Sequence, residues 1–383
     1  MKNIYLLGAS GSIGKQTLDV ISRYQDKFIL KSFSVNKNIA FAKEVINKFK
    51  PEMVSVGNYD DMLQLKIEFP NILFSFGEQG LIDVASYSNE DGYLVNAVMG
   101  SAGLVPTIAA IKKKRDILLA NKETLVVGGE IIMPLVEKYN VRLLPIDSEH
   151  SAILQCLLSG KKEEVSRIII TASGGSFRDK TRKDLKKVSK EEALNHPNWD
   201  MGSKITIDSA TMINKGFEII EAYYLFGIEI DKIETLIHRE SIIHGMVEYN
   251  DGTVIAQMAI PDMRIPIEYA LLYPIRNKNE YKKIDFEKIR NLSFEKMDLE
   301  RFPLLKIAYD VIRVKGILPT VFNAANEAAV NLFLKDKIGF LEIENIVISS
   351  VNNAKNIIKP SISDIIRVDK MIKEEINRKY EGK

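Results

Sequence analysis

The sequence predicts an α/β protein with an N-terminal Rossmann-like parallel sheet domain, a central α+β domain and a C-terminal helical bundle. Three observations predict it. Short β-branched or apolar runs alternate with helical patterns up to about residue 150, which implies parallel strands with helices on both faces. Close-set strands around a tight-turn signal occupy 151–274, and from 297 to 383 the apolar spacing is helical. A charged passage at 275–296 reads as a linker. At 383 residues the chain exceeds one ordinary core, in keeping with two or three domains.

Taken in order, NIYLLG, FILKSFSV, MVSV, YLVNAV, DILLAN and VRLLPI read as the strands of the first domain, and stretches such as 15–24 and 102–113 as its helices. RIIITAS adds one strand to the second domain. IETLIHRE, SIIHGMVEYN and TVIAQMAI add three more, the last two flanking Asn250-Asp251-Gly252, and this close spacing predicts an antiparallel sheet. RNKNEYKKIDFEKIR is the linker. FNAANEAAVNLFL has helical apolar spacing, and DIIRV is the one short strand-like run of the C-terminal region.

Composition narrows the function classes. Lys and Arg total 53 against 51 Asp and Glu, a formal charge of +2, so nothing favours a polyanionic partner such as nucleic acid. The single cysteine, Cys156, excludes an intramolecular disulfide and a thiolate zinc site, and reads as a buried thiol. The chain enters a strand at once, without a signal-like leader, and no run reaches the roughly 18 apolar residues of a spanning helix, so a cytoplasmic protein without membrane contact is expected. The lysine-rich stretch 180–190 reads as a solvated helix or loop.

Gly8, Gly11 and Gly14 follow the first strand and open a helix. Glycines there let the backbone approach a pyrophosphate, which the free N–H groups and dipole of the helix N-terminus attract. The second strand ends in Ser34-Val35-Asn36-Lys37-Asn38, with a cation where an NAD site usually has a carboxylate. Lys37 suits a 2′-phosphate and so favours NADP, the plainer alternative being a lysine on a solvated loop.

Asp147-Ser148-Glu149 follows the sixth strand-like run of the first domain, at the carboxyl end where open parallel sheets bind ligands. Helix capping explains one of these acids but not both. Glu218 and Glu221 stand three apart in KGFEIIEAYYLF, on one helix face. Together the four acids can form an all-oxygen site suited to Mg²⁺ or Mn²⁺, although spacing alone does not bring the segments together. Ser173-Gly174-Gly175 after RIIITA can form an anion-holding nest. Segment 196–218 gathers the only tryptophan, a histidine, hydroxyls, amides and a lysine, among them Ser209, Asn214 and Lys215, a set suited to a single monoester phosphate.

As a set, LLGASGSIG, ILLANKETLV, LPIDSEHSAI, TASGGSF, HPNWDMGSKITIDSATMINKGFE, PDMRIPI and FNAANE closely resemble the 1-deoxy-D-xylulose 5-phosphate reductoisomerase family of the non-mevalonate isoprenoid pathway, over essentially the whole chain. The resemblance implies that Asp147, Glu149 and Glu218 hold one divalent cation, leaving Glu221 a supporting or structural acid. It implies that Ser173, Ser209, Asn214, Lys215 and His196 hold the substrate phosphate, and that Lys122 and Ser148 meet the carbonyl and hydroxyl end. Ser10, Gly11, Ser12, Ile13, Lys37, Asn38, Asn121, Glu123 and Gly202 would bind NADPH alongside Gly8, and His196, Trp199 and Met201 would belong to a lid. Lys122, Asp147, Glu149, His196 and Glu218 are thus the candidate catalytic residues, in a central catalytic domain of a homodimer.

The reaction implied is rearrangement of a phosphorylated ketose by retro-aldol cleavage and re-addition, then NADPH reduction to 2-C-methyl-D-erythritol 4-phosphate. Two departures from the family pattern stand out. Asn36 replaces a usual glycine, where asparagine's tolerance of a left-handed backbone would preserve a turn. Ser176 stands where proline is frequent, an exchange expected to loosen that loop. The competing readings are another NADPH-dependent aldehyde or semialdehyde reductase, which would need no divided carboxylates, and a non-catalytic NADPH-binding sensor.

Overall fold

A computed structural model describes residues 1–199 and 201–381. The first part of the chain alternates β1 (Lys2–Leu7), α1 (Ser12–Arg23), β2 (Phe28–Ser34), α2 (Ile39–Phe49), β3 (Met53–Val56), α3 (Tyr59–Glu68), β4 (Leu73–Phe76), α4 (Gly77–Ser86), β5 (Gly92–Asn96), α5 (Leu104–Lys112), β6 (Asp116–Leu119), α6 (Glu123–Tyr139) and β7 (Leu143–Pro145). There follow α7 (Ser148–Leu157), β8 (Val165–Ala172), α8 (Lys190–Leu194), α9 (Ser203–Ala210), α10 (Ile213–Phe226), β9 (Ile233–Ile237), β10 (Ile243–Tyr249), β11 (Val254–Met258), α11 (Arg264–Leu272) and β12 (Glu295–Lys296). Four helices close the chain: α12 (Pro303–Val314), α13 (Leu318–Leu334), α14 (Phe340–Asn353) and α15 (Ile362–Glu381).

Contacts group the chain into two units, one of 1–124, 131–147 and 263–279 and the other of 125–130, 148–262 and 280–383. This differs from a sequential division at 150, 274 and 297, because α11 joins the first unit. Arg264 on α11 lies 3.7 Å from Asp19 on α1, which fastens segment 263–279 to that unit, and within the segment Asn279 folds back on Glu268.

The first unit holds a seven-stranded, all-parallel sheet in the order β4-β3-β2-β1-β5-β6-β7. Ile4, Tyr5, Leu6 and Leu7 of β1 are all fully buried, as a strand covered on both faces requires. Strand β4 is an addition to the strands expected from the sequence and lies at the sheet edge, with Leu73 and Phe76 exposed. Strand order reverses between β1 and β5, and the loops leaving those two strands meet. Gly8 has φ +80, and a Cβ there would lie 2.5 Å from the Ala97 carbonyl oxygen, so only glycine fits. A Cβ on Gly14 would lie 2.2 Å from Gly8 O, so α1 can pack onto β1 only through a glycine.

The second unit is built on a five-stranded sheet, β11-β10-β8-β9-β12. It is mixed, not antiparallel as the spacing predicts: β8 and β9 run parallel, the other pairs antiparallel. Helices α8, α9 and α10 intervene between β8 and β9, and such a crossover returns the chain in the same direction. The short link 238–242 then spans β8, on whose two sides β9 and β10 lie. The hairpin between β10 and β11 turns where the sequence places it, with Gly252 at φ +83 donating to Tyr249 O at 2.9 Å. The core beneath the sheet gathers Ile153, Cys156, Ile168, Ile170, Ile219, Val247, Phe302 and Leu305. DIIRV is helical, within α15: Ile365, Val368, Ile372 and Ile376 form one buried stripe at three- and four-residue spacing. Among the described residues no helix is long and apolar enough to cross a membrane.

Candidate active site

The first unit contributes the glycine turn and two groups of side chains. Gly11 caps α1 without a side-chain bond, and Ser10, Ser12 and Ile13 follow the turn at partly or fully exposed positions. Lys37 is exposed beyond β2, and Asn38 caps α2 by accepting the Phe41 N–H at 3.1 Å. Asn36 is not among the residues with left-handed backbone; its carbonyl instead accepts the Gly57 N–H at 2.9 Å, so the expected left-handed turn is not used. Asn121 and Glu123 at the start of α6 brace the turn after β5: Asn121 Nδ2 donates to Gly100 O at 3.0 Å, and the Gly100 N–H donates to Glu123 Oε1 at 3.2 Å. Lys122 between them is nearly buried, its Nζ 2.7 Å from Asp147 Oδ2 at the end of β7.

The chain runs from Asp147 straight into α7. Ser148 and Glu149 open that helix, Ser148 Oγ donating to Glu149 Oε2 at 2.5 Å. Facing Glu149 within the second unit is the start of α10, entered through Met212 at φ +61. Lys215 Nζ lies 3.0 Å from Glu149 Oε1 and also contacts Glu218, which accepts from Asn214 Nδ2 at 2.5 Å. One carboxylate oxygen each of Asp147, Glu149 and Glu218 lie within 4.8 Å of one another. Three hard oxygen donors at this separation fit an octahedral Mg²⁺ or Mn²⁺. Lys215, expected at the phosphate, sits here against two of these acids.

His150 has a structural role that its place in the sequence does not announce. Fully buried, it has Nε2 2.8 Å from the Glu218 carbonyl oxygen and Nδ1 3.3 Å from the buried carboxylate of Glu221, and it stacks on Phe226. It ties α7 to α10 just behind Glu149 and Glu218. It lies inside DSEHSA: one residue past an acid, on a helix starting at Ser148, it turns inward.

The loop after β8 turns on two glycines. Gly174 and Gly175 have φ of +88 and +69, and a Cβ on Gly175 would lie 2.5 Å from Ser209 O, so α9 packs onto the loop through its glycine. Ser173 Oγ accepts the Gly175 N–H at 3.2 Å and lies 3.0 Å from His196 Nε2. Burial and the neighbouring Arg178 guanidinium push the His196 ring down to about 4, so it is neutral at ordinary pH. Ser176, where proline is frequent in the family, has its hydroxyl donating to Ala193 O on α8 at 2.7 Å. Trp199 is partly buried, 6.1 Å from the His244 ring, and Met201 and Gly202 follow just before α9. Asp200 lies outside the described residues. Arg178 and Asn198 also bond to each other here; Asn198 belongs to the HPNW motif, and Arg178, in SFRD, lies outside it.

Three family models match the chain: 1-deoxy-D-xylulose 5-phosphate reductoisomerase over 4–129, its C-terminal domain over 143–226, and a further DXP reductoisomerase C-terminal domain over 258–375. A 1-deoxy-D-xylulose 5-phosphate reductoisomerase of Bacillus cereus is 52% identical over 370 residues, 96% of this chain and 97% of that one. Another, from Thermoanaerobacter pseudethanolicus, is 51% identical over 382 residues, 99% and 100% of the two chains. Among solved structures, DOX-P reductoisomerase in complex with NADPH, fosmidomycin and magnesium superposes with TM-score 0.94 at 35% identity, covering 100% of this chain and 98% of that one. The Zymomonas mobilis enzyme in complex with NADPH gives 0.91 at 38%, covering 99% of each.

Proposed function

The chain belongs to the 1-deoxy-D-xylulose 5-phosphate reductoisomerase family, and on that premise we propose that it converts 1-deoxy-D-xylulose 5-phosphate to 2-C-methyl-D-erythritol 4-phosphate for isoprenoid precursor synthesis, using NADPH and one divalent cation. The observation that carries this reading is the convergence of Asp147, Glu149 and Glu218 to within 4.8 Å, three acids from two distant parts of the sequence. A plain aldehyde reductase has no use for such a set.

Asp147, Glu149 and Glu218 would hold the cation, and His150 would fix the backbone of Glu218 through the bond to its carbonyl. A cation so held supplies Lewis acidity toward adjacent carbonyl and hydroxyl oxygens of the substrate, and NADPH supplies the hydride. Gly8, Ser10, Gly11, Ser12 and Ile13 would cradle the pyrophosphate at the α1 N-terminus, with Lys37 and Asn38 near the 2′-phosphate; the backbone crowding at Gly8 and Gly14 favours such a close approach. Asn121 and Glu123 would keep the adjoining turn in shape, and Gly202 would meet the cofactor from the lid side. Ser173, Ser209, Asn214 and His196 would bind the substrate phosphate, joined by Lys215 on its flexible stem. Lys122 and Ser148 would orient the carbonyl and hydroxyl end. The phosphate is remote from the reacting carbons, so its binding energy can position them. Trp199 and Met201 would close over the substrate and exclude water. We further propose a cofactor domain, a catalytic domain and a helical domain, working as a cytoplasmic homodimer.

The test is consumption of NADPH, followed by its absorbance, with deoxyxylulose phosphate as substrate. Turnover that stops with EDTA and returns with Mg²⁺ or Mn²⁺ is expected. Turnover indifferent to chelator would overturn the metal assignment, and no turnover with metal restored would overturn the reaction.

A further inference from the structure

The hydrogen bonds around His196 all run in one direction. The backbone N–H groups of Asn198 and Trp199 both donate to His196 Nδ1, at 3.2 and 3.0 Å. A ring nitrogen that accepts carries no proton, so a neutral imidazole here must carry its proton on Nε2. Nε2–H then donates to Ser173 Oγ at 3.0 Å. That oxygen also accepts the Gly175 N–H at 3.2 Å, so both of its lone pairs are engaged. What remains to Ser173 is its own hydroxyl proton, which it can only donate.

The turn that imposes this order is itself fastened. Asn198 Nδ2 donates to Arg239 O at 2.8 Å and to Ser241 Oγ at 3.2 Å, in the link between β9 and β10. Asn198 Oδ1 accepts from Arg178 Nη1 at 3.3 Å, and the same guanidinium nitrogen reaches Arg239 O at 3.2 Å and Ser173 O at 3.4 Å. Asn198 thus joins the turn to the strand link and, through Arg178, to the loop of Ser173.

We propose that the 196–199 turn sets the proton order of the anion subsite: it locks His196 as the Nε2–H tautomer, which makes Ser173 an obligatory donor, and Asn198 is the positioning residue that holds the turn in place. This rests on the reading of Ser173 and His196 as phosphate ligands. At Ser173 the arrangement leaves no acceptor for an incoming donor and one proton for a group that accepts, such as a phosphate dianion. It also couples the subsite to Trp199, whose own N–H is one of the two that lock the ring.

The experiment uses the full-length chain, labelled with ¹⁵N at histidine, with inorganic phosphate as the probe. Two-bond ¹H–¹⁵N correlations near neutral pH are expected to show His196 protonated on Nε2 only. An Nδ1–H ring or an imidazolium overturns the proposal, and this reading needs no substrate. Phosphate is expected to change the fluorescence of Trp199, the only tryptophan. In Asn198→Ala the His196 signals are expected to show mixed tautomers, and phosphate affinity to fall at least about fivefold, the effect of one lost hydrogen bond, with NADPH affinity unchanged. Unchanged tautomer and phosphate affinity in that variant overturn the role of Asn198. Should the variant fail to fold, Asn198→Gln and the wild-type spectrum decide. An Nε2–H ring in a protein that binds no phosphate instead overturns the assignment of the subsite to phosphate.

Discussion

Glu218 accepts from Asn214, contacts Lys215 and has its carbonyl bonded by His150, so its carboxylate is held by its surroundings whichever cation it meets. Replacing it with glutamine keeps the shape and removes the charge. We predict that Glu218→Gln folds normally, binds Mg²⁺ weakly by calorimetry, and loses more than about 100-fold in kcat, because a neutral amide is a poor ligand for a hard dication. Lys215 is a different case. It separates two carboxylates of low exposure, and taking it away leaves them facing one another. Lys215→Ala is expected to lower stability by about 3 kcal/mol in chelator, with partial recovery on adding Mg²⁺, by thermal unfolding. The same variant is expected to raise KM for the phosphorylated substrate while leaving NADPH affinity alone. His196 gives the pH dependence. Its folded value, about 4, is below the ordinary 6.5, so the folded state binds fewer protons than the unfolded state between those values. Stability contributed by the neutral ring is therefore fully present above about 6.5 and is lost as pH falls toward 4. The Trp199 emission is expected to shift with a midpoint near 4, and a midpoint near 6.5 would contradict the burial of His196.

The elements differ in how well the sequence displays them. Strands β1, β3, β5, β6 and β7 are legible as short, mostly apolar runs, and β2 as apolar residues interleaved with Lys31, Ser32 and Ser34. Edge strand β4 is not, although Leu73-Phe74-Ser75-Phe76 is as apolar as β3, because its place at the sheet edge is a tertiary fact. The direction of β9 was hidden too: spacing reveals how far apart strands lie in the chain, but not that β8 would come between β9 and β10. The carboxylates of the site were legible as separate signals, Asp147 and Glu149 after a strand and Glu218 with Glu221 on one helix face, and their meeting is a tertiary fact. Asn198 and Arg178 act through backbone carbonyls, a partnership no residue pattern encodes. At the glycine turn, the atoms that crowd Gly14 are backbone and cannot move aside. Gly14→Ala is expected to push α1 off β1, lowering stability by about 1–3 kcal/mol and weakening NADPH binding more than tenfold, with inorganic phosphate binding retained.

For the molecule as a whole, Cys156 offers an internal probe. It is 2% exposed in the core under the mixed sheet, and burial pushes its thiol up to about 11. Thiol reagents are expected to label it only as fast as that core opens, and saturating Mg²⁺ is expected to slow labelling by binding the folded form alone. Rapid labelling of the native protein would contradict the packing. The placement of α11 reaches further. Helix α1 is fastened to a segment about 240 residues downstream, through Arg264 and Asp19, so the seven-stranded sheet emerges from the ribosome long before its last covering helix is made. During synthesis the side of α1 that Arg264 meets stays without this partner until residue 279 has left the exit tunnel. A fragment ending near residue 150 would lack it permanently.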